Sequence, residues 1–335
     1  EYREHPEYQW TNVNGTRYLL EQAAELGVKR FIFASSIAAC PFPGSGAPPV
    51  TEATVPDAAY PYARSKREGE DLVREFAGRV PSSIVRLAAV FSDWGEFPPL
   101  YVFLSNWLSR AWSARFLGGR GESAIPYIHT RDLTRIFLTI LRRWRELPSA
   151  EIYLASPDGS TSHRELFEMA TRFYFGDDVR PILIPGPLAA TAVRARDWLG
   201  RAAGRRPFER PWMLRYLDRK LEVDADRTRQ RLGWSPTPRY HILRRVLFMV
   251  EKLKNHPDEW VYRNELAMRR PPVRPALIIH DALVADKEEV TERIVAAMRD
   301  PGQADRFPHY QRMTEEEPVS YTQLRAHETL TPISY

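Results

Sequence analysis

The sequence predicts an α/β fold built on a parallel sheet, and three observations predict it. Short apolar runs at 31–34, 83–90 and 152–155 alternate with longer segments whose apolar residues recur at helical spacing. The connections between those runs are too long for hairpins and suit the crossover helices that join parallel strands. The chain has 335 residues, 43% apolar and 27% charged, which allows a large packed core and lies far from the composition of disordered chains.

Residues 12–27 read as a helix: Val13, Leu19, Leu20, Ala23, Ala24 and Leu26 make one apolar face, and Gly27 stops it. The run 31–34 (Phe-Ile-Phe-Ala) is too short for a helix and reads as a buried strand. Six prolines between 41 and 61 make that stretch a loop. A helix over about 62–77 and a second buried strand over 83–90 follow. After Pro98, residues 100–117 read as helical and 125–129 as extended. Thr130 or Asp132 is placed to cap a helix reaching about Trp144. A strand at 152–155, a helix over 163–173 capped by Ser162, and a short strand at 182–184 come next. The segment 188–217 mixes Leu, Trp, Ala and Phe with Arg194, Arg196, Arg201, Arg205, Arg206, Arg210 and Arg215. With Pro207 and Pro211 inside it, it reads as a helix pair with a solvated basic face. The alternative is an amphipathic segment on an anionic membrane surface. Residues 271–275 read as a linker, followed by a strand at 276–279 and a helix over 286–299.

Composition narrows the function. Forty-eight basic against 43 acidic residues give a net charge of +5, which favours anionic ligands such as cofactor phosphates but is too diffuse to indicate nucleic acid. The single Cys40 excludes an internal disulfide framework and a multi-cysteine zinc site, and it reads as a packing or loop residue. The eight His show no metal-ligand spacing, so His129 reads as structural and no metal is expected. No apolar run approaches the ~20 residues of a membrane span, and no signal pattern opens the chain, so a cytoplasmic protein is expected. Of the 48 cations only six are Lys, the type whose charge can be tuned near neutral pH.

One of those Lys stands in a constellation. Tyr62-Ala63-Arg64-Ser65-Lys66 sets a phenol and an amine four apart at the start of a helix, on one face. A phenol with an ordinary pKa near 10 is a poor base at neutral pH, and a neighbouring ammonium favours its ionised form. Tyr62 is therefore a candidate for moving a proton at a carbinol or carbonyl oxygen. Ser35 and Ser36 follow the 31–34 strand at the carboxyl edge of the sheet, where open α/β folds bind ligands. Tyr216 and Lys220 share the spacing but follow no serine-bearing strand, and they read as a solvated helix face.

Three stretches, 12–16 (Asn-Val-Asn-Gly-Thr), 29–36 (Lys-Arg-Phe-Ile-Phe-Ala-Ser-Ser) and 60–66 (Tyr-Pro-Tyr-Ala-Arg-Ser-Lys), resemble in order and spacing the extended short-chain dehydrogenase/reductase family. This is the NAD-dependent epimerase/dehydratase group. Residues 85–90, 127–133 and 232–236 resemble its later landmarks, so the likeness covers about 8–240. The resemblance implies a Rossmann-type sheet with a smaller mixed C-terminal substrate domain. It implies NAD or NADP as cofactor, Tyr62 as acid/base, Lys66 on the nicotinamide ribose and Ser36 orienting the substrate oxygen. Cofactor contacts would fall at Tyr62, Lys66, Ala34 and Ser35, and near Ala89 and Val90 after the second strand. A small-molecule substrate and a homodimer formed through the helices after Asn12 and Tyr62 are expected.

The departures from the family shape the expectation further. The family begins with a strand and a Gly-rich turn that receives the pyrophosphate at a helix N-terminus. Residues 118–124 have a superficially similar spacing, but Pro126 follows where a helix should start. The chain thus reads as a partial sheet lacking its first strands, an N-terminal truncation. The expected division is 1–120 for the remaining dinucleotide domain, 121–240 for the substrate domain, 241–318 for a helical extension and 319–335 for a non-native tail. Ile37, Ala38 and Ala39 stand where dehydratases of the family usually carry acids, which disfavours dehydration. Residues 124–126 lack the Arg with which sugar-nucleotide members often grip the diphosphate. The expectation is oxidation, reduction or epimerisation of a secondary alcohol or ketone on a hydroxysteroid-like or sugar substrate. Both features tilt it towards the less charged kind, such as a hydroxysteroid-like, isoprenoid or flavonol-like one. The alternative is a catalytically inactive protein of the same NAD-binding fold serving binding or assembly, or a non-functional fragment.

Overall fold

The computed structural model describes residues 6–42, 47–204 and 207–268. A wide helical turn, Tyr8–Asn14, runs into α1 (Gly15–Glu25), and Gly27, at φ +65°, ends it in the left-handed conformation that glycine tolerates. Then come β1 (Phe31–Ser36), α2 (Pro61–Glu75), β2 (Ser82–Leu87), β3 (Ala89–Phe91), α3 (Pro98–Trp107) and β4 (Phe116–Gly118). The short strands β5 (Ala124–Ile125) and β6 (Tyr127–His129) lead to α4 (Thr130–Arg142), β7 (Glu151–Ala155), β8 (Thr161–Ser162) and α5 (His163–Phe175). The described chain finishes with β9 (Ile182–Ile184), α6 (Gly186–Ala202), α7 (Asp226–Leu232), α8 (Ile242–Asn255) and α9 (Pro257–Met268).

The main sheet is parallel in the order β1-β2-β7, with Phe31 opposite Ser82 and Ser83 opposite Glu151. Period-two alternation gives it two buried faces. Phe33 and Ile84 pack against Leu20 and Ala23 of α1 and Leu72, Val73 and Phe76 around α2. Val85 and Tyr153 pack on the other face with Ile136 and Ile140 of α4 and with Leu232 and Trp234. A further cluster joins Leu100, Leu104 and Trp107 of α3, Leu166 and Phe167 of α5, Val246 and Met249 of α8, and Trp260 of α9.

Four local expectations change. The run 83–90 is two strands, because β1 and β7 end level with Leu87. Ala88 takes the last carbonyl, that of Ala155, and Ala89 turns to Pro126, which starts the separate pairing of β3 with β6. The helix expected over 100–117 stops at Trp107: the Ser109 hydroxyl accepts the Ala111 N–H and leads the chain into β4. Neither Thr130 nor Asp132 caps α4. His129 does, its Nδ1 accepting from Arg131 N–H at 3.1 Å, while Asp132 accepts the N–H and hydroxyl of Thr237 at 2.8 and 2.7 Å. The segment 188–217 divides into α6 and a 3-10 turn at Pro211–Tyr216. Ser162 does cap α5, in a reciprocal capping box with Glu165. The linker at 271–275, the elements expected at 276–279 and 286–299, and the tail at 319–335 lie outside the described residues.

Candidate active site

α2 opens with Pro61 in its first turn, where the missing proline N–H costs nothing, behind an extended Tyr60. That start sets the phase of the helix and puts Tyr62 and Lys66 on the face turned to β1. The Lys66 Nζ donates to the Ala34 carbonyl at 3.0 Å and lies 5.8 Å from the centre of the Tyr62 ring and 5.5 Å from that of Phe33. Burial holds the Lys66 ammonium below its ordinary pKa. The Tyr62 ring meets Tyr8 edge-on at 5.8 Å and lies near-parallel to Tyr60 at 6.4 Å.

Ser36 stands at the end of the same strand, two residues past Ala34 and on the same face. Its hydroxyl accepts the Ala38 N–H at 3.2 Å, and the Tyr60 hydroxyl donates to the Ala38 carbonyl at 2.6 Å. The turn after Ser36 is thereby fastened to the start of α2. Asn12 adds a second fastening: its Nδ2 donates to Ser65 Oγ at 3.0 Å, and that hydroxyl donates to the Tyr62 carbonyl at 2.8 Å. Ala34 is exposed, Ser36, Ala89 and Val90 are half-buried, and the Ser36–Leu87 pairing sets Ala89 and Val90 just beyond the strand ends at this edge.

Ser35 points the other way. It is buried and donates to Glu70 Oε1 at 2.7 Å, so its hydroxyl serves the interior rather than the open edge. Glu70 is held from a second side by Arg86, whose Nε and Nη2 reach its two oxygens at 2.8 and 2.9 Å, while Arg74 Nη2 donates at 2.9 Å. Burial alone would raise the Glu70 pKa; the Arg86 hydrogen bonds and charge, with Ser35 and Arg74, outweigh it and hold the carboxyl below its ordinary range. Sequence reading missed this pair. The signal was an arginine inside the apolar run of β2, a position that only a buried counter-ion makes tolerable.

Cys40 is buried beside Arg86, 3.6 Å from its Nη1, and burial pushes the thiol up to about 11, so it is an inert packing residue. Tyr216 and Lys220 do not share a helix: the 3-10 turn ends at Tyr216, and Lys220 pairs with Glu122 at 2.8 Å. The glycine-bearing turn at 118–124 holds no vacant anion cradle. Its Arg120 and Glu122 N–H groups donate to the Asp218 carboxylate at 2.8 and 3.2 Å, so an internal carboxylate already occupies them. A second unforeseen cluster ties the end of β3 to α8: Asp93 accepts from Nε and Nη2 of Arg245 and lies 3.2 Å from His129 Nε2. Among the described residues no group of three His, Cys, Asp or Glu is placed to hold a metal, and no helix is long and apolar enough to cross a membrane.

The described residues divide sharply in their fit to a dinucleotide. Lys66 uses one of its three N–H groups on Ala34 and stands over an exposed alanine, which suits the hydroxyls of a ribose. Among the described residues no strand is followed by a glycine-rich turn into a helix, so nothing here fits a pyrophosphate.

Comparison with known proteins bears on the same region. The model of the NAD dependent epimerase/dehydratase family matches residues 1–155. The chain is 26% identical over 228 residues to the uncharacterized protein y4nG of Sinorhizobium fredii, and it spans only 54% of that relative's length. Among solved structures, the crystal structure of gox2253 is similar with TM-score 0.56 at 21% identity, covering 76% of each chain. UDP-glucose 4-epimerase of Thermotoga maritima, crystallised with UDP-glucose, gives TM-score 0.54 at 22% identity, over 75% of this chain and 71% of that one. A variant of dTDP-glucose 4,6-dehydratase of Streptomyces venezuelae, crystallised with NAD, gives 0.55 at 19%, over 78% and 74%. At such identities the structures establish a shared fold. The stretch that carries Ser36, Tyr62, Lys66, Ala89 and Val90 thus matches the NAD-dependent epimerase/dehydratase family in sequence and Rossmann-fold sugar epimerases and dehydratases in architecture.

Proposed function

We propose that this chain carries the proton-transfer end of an NAD- or NADP-dependent oxidoreductase or epimerase acting on a secondary alcohol or ketone. The observation that carries the proposal is the position of one ammonium: Lys66 Nζ is bonded to Ala34 O at 3.0 Å and lies 5.8 Å from the Tyr62 ring. It stands at the strand edge where Ser36 ends β1.

Tyr62 exchanges a proton with the reacting oxygen through its phenol oxygen, and the positive charge of Lys66 favours the ionised phenol between steps. Ser36, on the same strand face as Ala34, holds that oxygen by a hydrogen bond. Lys66 directs its remaining N–H groups at the ribose, and Ala34, Ala89 and Val90 line the nicotinamide end. When bound, the nicotinamide supplies a hydride acceptor and donor. The apolar stretch Ile37–Ala39 after Ser36 offers no carboxylate for proton removal at carbon, which supports redox or epimerisation chemistry over dehydration. The nucleotide-sugar ligands of the solved neighbours support a sugar substrate. The absence of an arginine at 124–126 supports a less charged, hydroxysteroid-like one.

The test is cofactor turnover by the full chain on both substrate classes, with Tyr62→Phe beside it. Phenylalanine keeps the ring contacts to Tyr8 and Tyr60 and removes only the hydroxyl. Turnover should fall by about 10²–10⁴-fold. Undiminished turnover in the variant refutes the mechanism. Saturable cofactor binding without turnover in the parent chain favours the binding or assembly role.

A further inference from the structure

Helix α6 has two apolar sides, and only one of them faces the protein. The buried or half-buried positions Gly186, Ala189, Ala190, Val193, Asp197 and Gly200 recur at three- and four-residue spacing and form the inward stripe. Leu188, Ala192, Ala195, Leu199 and Ala202 recur in the same way on the opposite side, with Trp198 beside them. Leu188 is 63% exposed, Trp198 68% and Leu199 58%, so among the described residues nothing covers this outward stripe.

Charge surrounds the stripe in a definite pattern. At about 100° per residue, Arg194 and Arg201 fall on one flank of the outward face and Arg196 on the other. The helix's own carboxylate, Asp197, is on the inward side, paired with Arg201 at 2.7 Å and Arg210 at 3.4 Å. Glu209 meets Arg196 at 3.3 Å. The apolar surface continues past the start of the helix. Ile182 and Leu183 of β9 are 45% and 39% exposed, β4 pairs Phe116 with Ile182, and Trp112, 82% exposed, packs edge-on against Phe116 at 5.2 Å. A Cβ on Gly118 at the end of β4 would lie 3.5 Å from Ala189, so the strand pair and the first turns of α6 form one continuous region. Asp177 and Asp178 lie beyond Arg180 at its margin, Asp178 paired with Arg172 at 2.6 Å.

We propose that this outward face of α6, continued by Ile182, Leu183 and Trp112, seats on the surface of a phospholipid bilayer containing anionic lipid. Leucine and tryptophan enter the headgroup–acyl boundary while the flanking arginines meet phosphates. Charge decides between this occupant and a second copy of the chain. Glu209 offsets Arg196, but Asp197 faces both Arg201 and Arg210 and Arg194 adds a further positive charge, so the face stays net positive. Two copies would bring like charge together, whereas an anionic leaflet complements it. The proposal stands independently of the role of Tyr62.

The test is co-sedimentation of the full chain with phosphatidylcholine vesicles, with and without phosphatidylglycerol. The expected result is binding that requires phosphatidylglycerol, weakens with added salt, and falls at least tenfold in the Leu188→Ser/Leu199→Ser variant. Arg194→Glu should weaken it as well. These side chains are exposed, so the urea unfolding midpoint of each variant should match that of the parent and exclude misfolding as the cause. Absent binding, or equal binding to both vesicle types, overturns the proposal. A solution dimer that the double variant dissociates, in a protein that ignores vesicles, also overturns it and assigns the face to a second copy.

Discussion

Replacing Glu70 by Gln removes the one carboxylate that, among the described residues, is hydrogen-bonded to the buried Arg86 guanidinium; Glu52 acts on it only through space. The Glu70 and Arg86 side chains are both fully buried and meet through two hydrogen bonds of 2.8 and 2.9 Å. The remaining Arg86 nitrogen donates to the Thr54 carbonyl at 2.7 Å, which is neutral and cannot replace the charge. Breaking a buried pair by removing one partner costs about 3–5 kcal/mol, because the survivor stays desolvated without its counter-ion. That is a large part of the ~5–15 kcal/mol that separates folded from unfolded states in most proteins. Replacing both with apolar residues of similar volume, Glu70→Leu with Arg86→Met, removes both desolvation penalties and should recover most of the loss. The assay is urea unfolding followed by circular dichroism, with the double-mutant cycle giving the coupling directly. A Glu70→Gln loss under about 1 kcal/mol, or a double variant no better than the worse single one, refutes the reasoning. The pH dependence has a fixed sign. Glu70 is held below its ordinary value of 4.5, so its contribution is fully present above that pH and is lost as pH falls through the lowered value. Acid unfolding of Glu70→Gln should therefore be shallower than that of the parent.

Further outcomes follow from single contacts. Gly69→Ala should destabilise despite the better helix propensity of alanine, because its Cβ would fall 2.3 Å from the Phe33 ring; the overpacking cost of about 1–3 kcal/mol exceeds the ~1 kcal/mol gained, as a thermal melt would show. Ser162→Ala removes one half of the capping box at α5 and should cost about 1 kcal/mol by the same melt. His163, packed 4.5 Å from Phe103 at the first position of α5, is held by burial at about 4. The unfolded chain binds this proton first, so stability should fall as pH drops from about 6.5 towards 4, and His163→Leu should flatten that part of the profile.

The parts of the sequence that declared themselves are those where a period and a chemistry coincide. Residues 31–34 read as a strand because alternate side chains meet two different helix layers, and the structure extends that strand to Ser36. Tyr62 and Lys66 were legible because four-residue spacing on a helix implies one face whatever the surroundings. Pairing partners were not legible. Nothing local in 83–90 says that β1 and β7 end at Leu87, so one apolar run becomes two strands in two sheets. The cap of α4 was expected at Thr130 or Asp132 and falls at His129, because a histidine ring nitrogen does the work usually given to a hydroxyl or carboxylate. Ser35 and Ser36 were both expected at the open edge, one as a cofactor contact and one on the substrate oxygen. The pleat separates them, one hydroxyl to Glu70 in the interior and the other to the turn at the open edge.

That separation shows how fold and site depend on each other here. Along α2, residues 62, 66, 69 and 73 form one stripe laid across β1, with Glu70 beside it. The far half of the stripe is interior: Gly69 lets the Phe33 ring approach, Glu70 takes Ser35 and Arg86, and Val73 joins the core. The near half is chemistry, with Lys66 on the Ala34 carbonyl and Tyr62 beyond it. The odd residues Phe33 and Ser35 of β1 grip the far half of the helix through their side chains, and the near half is held through the Ala34 backbone carbonyl. A displacement of α2 at Gly69 or Glu70 is therefore carried one turn along a rigid helix to Lys66, so variants at these two positions should lose turnover with unchanged charge at the site. Arg74→Ala tests this separation: it removes a half-exposed partner of Glu70 while the buried Arg86 pair remains, and it should leave both the position of α2 and turnover as they are. If Arg74→Ala impaired turnover as much as Gly69→Ala, the grip on α2 would lie at its surface, and the buried pair would have no part in placing Lys66.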